Sequence, residues 1–241
     1  MKKISVIILS CLIVILMLFV AINAKRPKKP KAVKWNVYTC DVLPDDGSLA
    51  SMAFGTSNVA GDKTKNEIVD DSEISGNKVL MHSNELENRM QWKHSLSNIK
   101  GLTTIVIRAK AVDVNAFENS FEVDIHMQPK GYREIISATK DGKIKLKYTE
   151  KESNDAVDTS AWHIYRMTLS DKEINVYVDE SDKPIITAPI TKKSTKDDYF
   201  RFGSNARDTT YGCYYDWIIW TVDTAGAPSE APLPAGLTGV K

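Results

Sequence analysis

Cysteine and histidine are scarce in this chain of 241 residues, which holds three cysteines and four histidines. The histidines, at positions 82, 94, 126 and 163, lack the spacing of a zinc site. The chain also lacks a glycine-rich phosphate loop, a serine nucleophile elbow and a cysteine nucleophile motif. With no complete catalytic motif present, the sequence defines the shape of the protein better than its chemistry.

Acidic residues are absent from the first 34 positions, which carry eight lysine or arginine residues. Residues 35 to 241 therefore hold 24 basic and 31 acidic side chains, a net charge of −7. An acidic folded part argues against general nucleic-acid binding.

An apolar stretch, residues 4–22, follows Lys2 and Lys3 and is typical of an export signal. It is almost long enough to span the ~30 Å hydrocarbon layer. Residues 1–24 are thus either a cleaved signal peptide or an uncleaved anchor that associates with a membrane. Residues 25–34, with like charges and two prolines, predict an extended basic tether. We expect an extracytoplasmic protein, whether secreted, periplasmic or membrane-anchored.

Apolar and polar side chains alternate with period two through residues 119–222, as half-buried antiparallel strands require. Turn signals such as Asp141-Gly142 separate the segments. Residues 44–76 are rich in Gly, Ser, Asn and Asp and predict long irregular loops. Residues 35–241 show no internal break, which indicates one all-β domain, a two-sheet antiparallel jelly-roll sandwich. Eleven strands are predicted: 35–41, 78–82, 89–94, 103–111, 120–128, 133–138, 143–149, 162–169, 173–178, 199–203 and 213–222.

Two cysteines lie outside the export signal, Cys40 in the first predicted strand and Cys213 in the last. A disulfide would join them if the terminal strands are neighbours. The alternative is two buried free thiols, because free cysteine is a favoured core residue.

Two segments near the C-terminus, residues 162–169 (WHIYRMTL) and 173–179 (EINVYVD), resemble a strand pair of the concanavalin A-like lectin/glucanase superfamily, including its laminin G-like members. Residues 200–204 (FRFGS) and 215–220 (YDWIIW) resemble the closing strands of its exported bacterial members. The resemblance implies a jelly roll. It leaves the activity open, because this fold hosts lectins, hydrolases and lyases.

The catalytic candidates lie in residues 121–128 (FEVDIHMQ), where period two places Glu122, Asp124 and His126 on one face. Carboxylates and an imidazole suit acid/base chemistry on sugars. The segment resembles the E-x-D-x-x-E strand of laminarinase-like glycosidases, with Glu122 at the nucleophile position and Asp124 at the bridging one. Met127 occupies the place of the third acid. The alternative is a solvated polar sheet face without chemistry.

Alginate lyases of the same superfamily give a second resemblance. Asp124-Ile-His126 and residues 199–203 (YFRFG) are similar to their Q-I-H and Y-F-K-A-G strands, and Glu87-Asn-Arg89 matches part of their arginine-rich strand. This similarity implies that Arg89, His126 and Tyr199 converge on a uronate.

Other ligand-binding candidates are residues whose side chains are of the types that contact sugars, namely aromatic rings and polar groups. Trp92 and Tyr132 are expected to stack on a sugar ring, and Arg89, Arg108 and Gln128 to make polar contacts with it. Trp162 and Trp217, which lie among apolar neighbours, are expected in the core.

Metal ligands are poorly represented, because Asp45-Asp-Gly47 and Asp70-Asp71 are short acidic pairs without the spacing of oxygen ligands. We expect no cofactor, with a structural calcium ion as the open alternative.

Three classes of function fit this sequence. The first is an exported, envelope-associated module that binds a carbohydrate or polysaccharide without cleaving it. The second is a polysaccharide lyase or glycoside hydrolase, and the third a structural or protein-interaction domain. Convergence of Arg89, Arg108, Glu122, Asp124 and His126 in one groove would favour sugar contact or catalysis.

Overall fold

The structure is a computed structural model that describes residues 32–97, 101–127, 131–191, 197–205, 207–237 and 239. The predicted signal or anchor, most of the tether and Gln128 lie outside the described residues. No helix of the described residues is long and apolar enough to cross a membrane.

Strands dominate the described chain, which confirms the all-β class. One 3-10 helix, η1 (Gly47–Met52), accompanies them. The strands are β1 (Asn36–Tyr38), β2 (Gly55–Ala60), β3 (Thr64–Asp70), β4 (Lys78–Asn84), β5 (Arg89–Ser95), β6 (Thr103–Ala111), β7 (Asn119–Met127), β8 (Tyr132–Thr139), β9 (Ile144–Leu146), β10 (Lys151–Glu152), β11 (His163–Leu169), β12 (Glu173–Val178), β13 (Ile186–Pro189), β14 (Tyr199–Gly203) and β15 (Tyr211–Thr221).

The strands form two layers of a β-sandwich, as predicted. The front layer has the order β2-β5-β14-β7-β8-β9-β10. The back layer has the order β3-β4-β15-β6-β11-β12-β13, with β1 paired to β15 beyond the end of β4. Pairing within each layer is antiparallel, and one parallel bridge between Tyr211 and Asn119 joins the layers.

Aromatic side chains fill the space between the layers. Phe121 of the front layer stacks on Tyr165 of the back layer, with ring centroids 4.5 Å apart. Phe202 meets Tyr215 edge to face at 5.0 Å. Each such pair adds roughly 0.5–1.5 kcal/mol to the hydrophobic stabilisation of the core.

A bulge at Asp216 interrupts the alternation of β15. Tyr215 faces the core before the bulge and Ile218 after it, so the inward positions change from odd to even. Trp217 is buried as predicted, but on the outer side of the back layer. There it packs with residues of the C-terminal tail, Leu233 and Leu237.

The expectation of loops throughout residues 44–76 is wrong, because this segment contains η1, β2 and β3. Strand β3 lies at the edge of the back layer and pairs only with β4, over all seven residues. Of its side chains, Ile68 packs against the core and the others are polar or exposed in part, so hydrophobic alternation gives little signal. Strands β10 and β13 were also missed, whereas a strand occurs in each of the eleven predicted segments.

The proposed disulfide is absent from the structure, which has Cys40 and Cys213 as buried free thiols. Burial raises the pKa of both thiols. The alternative that free cysteines fill the core is therefore the arrangement observed.

His82 of β4 generates a pH-dependent stability. Its Nδ1 lies 2.6 Å from the side-chain oxygen of Asn66, and its Nε2 accepts a hydrogen bond from the Ser204 amide. Burial lowers the pKa of His82 from 6.5 to about 4. The unfolded chain therefore binds the extra proton first, and stability falls as the pH drops from 6.5 to 4, by up to about 3 kcal/mol.

We expect His82→Gln to remove this part of the pH dependence, because glutamine offers a donor and an acceptor without titrating. Urea unfolding of both proteins at pH 7 and pH 4.5 measures the difference. An identical loss of stability in the variant would contradict the assignment.

Candidate functional site

The outward-facing side chains of the front layer form a polar cluster. Strand β7 lies between β14 and β8, with Asp124 opposite Arg201 and His126 opposite both Tyr199 and Arg133. Paired residues of neighbouring strands share a face. We call this surface the polar face; it comprises Gln91, Lys93, Glu122, Asp124, His126, Arg133, Tyr199 and Arg201.

Asp124 is the centre of the polar face and is 0% exposed. Arg133 donates to both of its oxygens, through Nε and Nη2 at 3.0 Å each, and Arg201 Nη2 donates to Oδ2 at 2.7 Å. Burial alone would raise the pKa of Asp124, but hydrogen bonds from His126 and Arg133 outweigh it and lower the pKa. The carboxylate is therefore ionised and fully engaged by protein groups.

His126 and Tyr199 stack beside this carboxylate, with ring centroids 4.2 Å apart. His126 Nε2 lies 3.2 Å from Asp124 Oδ1, and Arg201 Nη2 donates to the Tyr199 hydroxyl at 2.9 Å. Burial lowers the pKa of His126 despite the nearby Asp124, and burial raises the pKa of Tyr199. At neutral pH the site thus holds a neutral imidazole against a neutral phenol.

Glu122 differs from Asp124 although it lies two residues away on the same strand. Burial, assisted by the negative charge of Asp124, raises the pKa of Glu122 to about 8. Its one side-chain partner in the described chain, Gln91, donates to Oε1 at 3.4 Å. Glu122 is therefore a protonated carboxylic acid at neutral pH.

Two concave regions adjoin the polar face. The larger, about 530 Å³, opens toward β9 and β10 and is lined by Glu122, Ser137, Lys145 and Lys147 among others. The smaller, about 290 Å³, lies at the β2 and β5 side next to Lys93. Clefts of this size beside convergent polar groups are the usual setting of ligand sites.

Two aromatic candidates lie away from this surface. Trp92 is 2% exposed and belongs to the core. Side chains alternate along β5, so that of Trp92 points to the opposite side of the sheet from those of Gln91 and Lys93. Tyr132 packs partly buried against the core, and its hydroxyl donates to the Asp171 carbonyl at 2.9 Å. Neither ring is therefore placed to stack on a sugar bound at the polar face.

The predicted arginines also lie elsewhere. Arg108 belongs to the back layer, where it pairs with Asp216 at 2.6 Å and stacks on Trp162 at 4.4 Å. Trp162, half-buried on this outer surface, is not the core residue expected. Arg89 is the first residue of β5, and the pairing of β5 with β14 does not extend past Gln91 to reach it. Among the described residues, Arg89 makes no hydrogen bond to the polar face.

Arg133 and Arg201, the two cations bound to Asp124, are not among the ligand-binding residues predicted from the sequence. Arg201 follows Tyr199 by two residues, so period two predicted its face. For Arg133 no local signal exists, because its contact with Asp124 depends on the pairing register of β7 and β8. Tyr148, whose ring lies 4.9 Å from the Arg133 guanidinium, was likewise missed. In the part of the chain that is described, no group of three or more His, Cys, Asp or Glu could hold a metal ion.

Comparisons show that the fold is shared with carbohydrate-related proteins. No protein-family model and no curated protein matches the chain. A carbohydrate esterase from the Shiga toxin-encoding bacteriophage phi24B is 15% identical, with a TM-score of 0.52 over 77% of this chain and 99% of the esterase chain. Domain 4 of a GH43 extracellular arabinanase from Geobacillus stearothermophilus, solved in complex with arabinotriose, is 13% identical, with a TM-score of 0.51 over 83% and 97%. At these identities the likeness establishes the fold alone.

Because two arginines share the carboxylate of Asp124, we expect its removal to lower the free energy of unfolding strongly. In Asp124→Asn, Arg201 stays buried without its anionic partner, and breaking a buried ion pair costs about 3–5 kcal/mol. Urea unfolding should show this loss, with Asp208→Asn, which neutralises an exposed carboxylate, as the control. Equal effects of the two substitutions would refute the buried network.

We expect the raised pKa of Glu122 to make the free energy of unfolding decrease as the pH rises. Its folded pKa of about 8 exceeds the ordinary 4.5, so the stability present below 4.5 is lost as the pH rises through 8. The slope is at most about 1.4 kcal/mol per pH unit. Glu122→Gln should remove this slope in urea unfolding between pH 6 and pH 9, whereas Glu118→Gln, at an exposed position, should retain it.

Proposed function

We propose that the polar face and the adjoining 530 Å³ cleft bind a carbohydrate without cleaving it. The observation that carries this proposal is the convergence of Arg133, Arg201, Tyr148 and Tyr199 at the polar face, which borders the cleft through Glu122. The half-buried ring of Tyr148 provides a stacking surface, whereas Tyr199 is buried against His126. Guanidinium groups provide fixed donors for sugar oxygens. The likeness to carbohydrate-related β-sandwiches supports the same class of ligand at a coarse level.

An unsatisfied donor adds support. Arg201 is 7% exposed, and its Nε is buried without a hydrogen-bond partner among the described residues. An unpaired buried donor costs about 1–3 kcal/mol, and a ligand oxygen that accepted this hydrogen bond would recover part of that cost.

Hydrolysis by two carboxylates has little support in the geometry. A retaining or inverting glycosidase needs one available carboxylate and one acid. Asp124 is occupied by two arginines, and Met127, at the place of the third acid, is a core residue. Glu122 alone remains, as an acid without an available carboxylate beside it.

Cleavage by elimination is the second candidate, favoured by the stacked His126 and Tyr199 beside Arg201. A neutral imidazole can accept a proton, a phenol can donate one, and a guanidinium can stabilise developing negative charge. These three groups are adjacent, as the alginate lyase resemblance implies, although Arg89 is not among them.

The predicted export signal extends the proposal to location. A glycan-binding module that follows residues 1–24 and a basic tether would act outside the cytoplasm, either released or held at the membrane. Detection of the protein after cell fractionation addresses this point separately from ligand binding.

Binding can be tested with residues 32–241 on a polysaccharide panel. We expect retention on at least one polysaccharide. Tyr148→Ala should weaken it about fivefold or more, because stacking of a sugar ring on tyrosine contributes about 1 kcal/mol or more. Tyr214→Ala, at a half-buried tyrosine on the back layer, should leave it unchanged.

Product analysis separates the alternatives. New reducing ends with absorbance from unsaturated sugars would establish elimination, and reducing ends alone would establish hydrolysis. Retention without product supports the proposal. If no polysaccharide is retained, the proposal fails and the interaction domain remains.

A further inference from the structure

The polar face carries more positive than negative charge. The single ionised carboxylate at its centre, Asp124, is shared by Arg133 and Arg201, so these three groups sum to one positive charge. Two arginines around one carboxylate leave one cation uncompensated. A ligand anion can compensate it without any rearrangement of the pair.

Lys93 increases this excess. Its ammonium lies 4.4 Å from the centroid of the Tyr199 ring, and the Arg201 guanidinium lies 4.9 Å from the same centroid. Lys93 makes no ion pair among the described residues, although its neighbour on β14 is Arg201, itself a cation. Two cations held at one ring repel each other, and an anion between them would relieve this repulsion.

The nearby acids do not cancel the charge. Burial raises the pKa of Glu122 to about 8, which leaves it neutral at pH 7. The exposed acids Glu150, Glu152 and Asp208 line the 530 Å³ cleft together with Lys145, Lys147 and Lys151, which balance their charge. The excess is therefore local to the surface formed by β5, β14, β7 and β8.

This local charge contrasts with the rest of the domain, because residues 35–241 carry a net charge of −7. A general polyanion such as nucleic acid would be repelled by most of the surface. A saccharide that bears spaced acidic groups could place one of them at the polar face, while its uncharged hydroxyls contact the surrounding surface.

We propose that the ligand is an acidic saccharide whose carboxylate or sulfate group is bound by Lys93, Arg133 and Arg201. The inference rests on the proposed function and specifies the chemical class of its ligand. The side chain of Arg133 is 22% exposed, so a ligand can reach it while its other donors hold Asp124. Lys93 is likewise partly exposed, and Arg201, which is 7% exposed, contributes its positive charge from beneath them.

The experiment compares matched polysaccharides on residues 32–241. Polygalacturonate and its fully methyl-esterified form share one backbone and differ in charge, and chondroitin with and without sulfate tests the other anion. We expect the charged member of at least one pair to bind at least tenfold more tightly. Its binding should weaken as salt is raised from 50 to 500 mM, because salt screens the ion pairs.

Lys93→Gln is the variant of choice, because Lys93 makes no ion pair with any residue that the structure describes. It should weaken binding of the charged polysaccharide about tenfold, the effect of one charge-assisted hydrogen bond. Lys65→Gln removes the same charge from exposed β3 on the back layer and should have no effect. Unfolding curves of both variants verify that the fold is intact.

The outcomes distinguish the two proposals. Equal binding of charged and neutral members, or an unaffected Lys93→Gln variant, overturns the acidic ligand and leaves carbohydrate binding in place. Binding of no polysaccharide removes both. Equally tight binding of duplex DNA, or equal effects of the two lysine variants, would show a non-specific polyanion effect and also overturn the inference.

Discussion

The buried carboxylate of Asp124 is the constraint on which the front layer depends. A charge removed from water must be paired and hydrogen-bonded, and here the pairing draws donors from both neighbouring strands. Arg133 and Arg201 are held in position by that demand, and the stacked His126 and Tyr199 fill the space beside them. The centre of this outer side is consequently a buried network of ion pairs and stacked rings, and Arg133 and Lys93 are partly exposed at its rim.

The same network determines what chemistry the face can perform. Two carboxyl groups on one strand have opposite protonation states. Hydrogen bonds outweigh burial at Asp124, whereas at Glu122 burial and the charge of Asp124 outweigh Lys147 and Arg201. In the binding proposed above, this face would offer a ligand cations and neutral hydrogen-bond donors. Such a set suits sugar oxygens and acidic groups.

Periodicity predicted which side of each strand is dry, and it failed wherever contacts between distant segments decide the outcome. Glu122, Asp124 and His126 share a face as the alternation required. Strand β14 lies between β5 and β7, and this position brings Arg201 to Asp124. The pairing joins segments far apart in the sequence, so no local pattern predicts it. Trp92 is wrong for a different reason. Its residue type suggests stacking on a sugar, but the alternation along β5 places its side chain on the core side, with Met90.

The bulge at Asp216 has a consequence for how this chain can vary. Because one extra residue inverts the inward and outward positions along β15, the first half of the strand lines the interior with tyrosine and cysteine while the second half supplies tryptophan to both sides. Regular pairing that included Asp216 would turn Trp217 into the interior and Ile218 toward the tail, whereas deletion of Asp216 would keep both on their present sides. The bulge, rather than the type of either side chain, thus decides which side of the layer each one reaches.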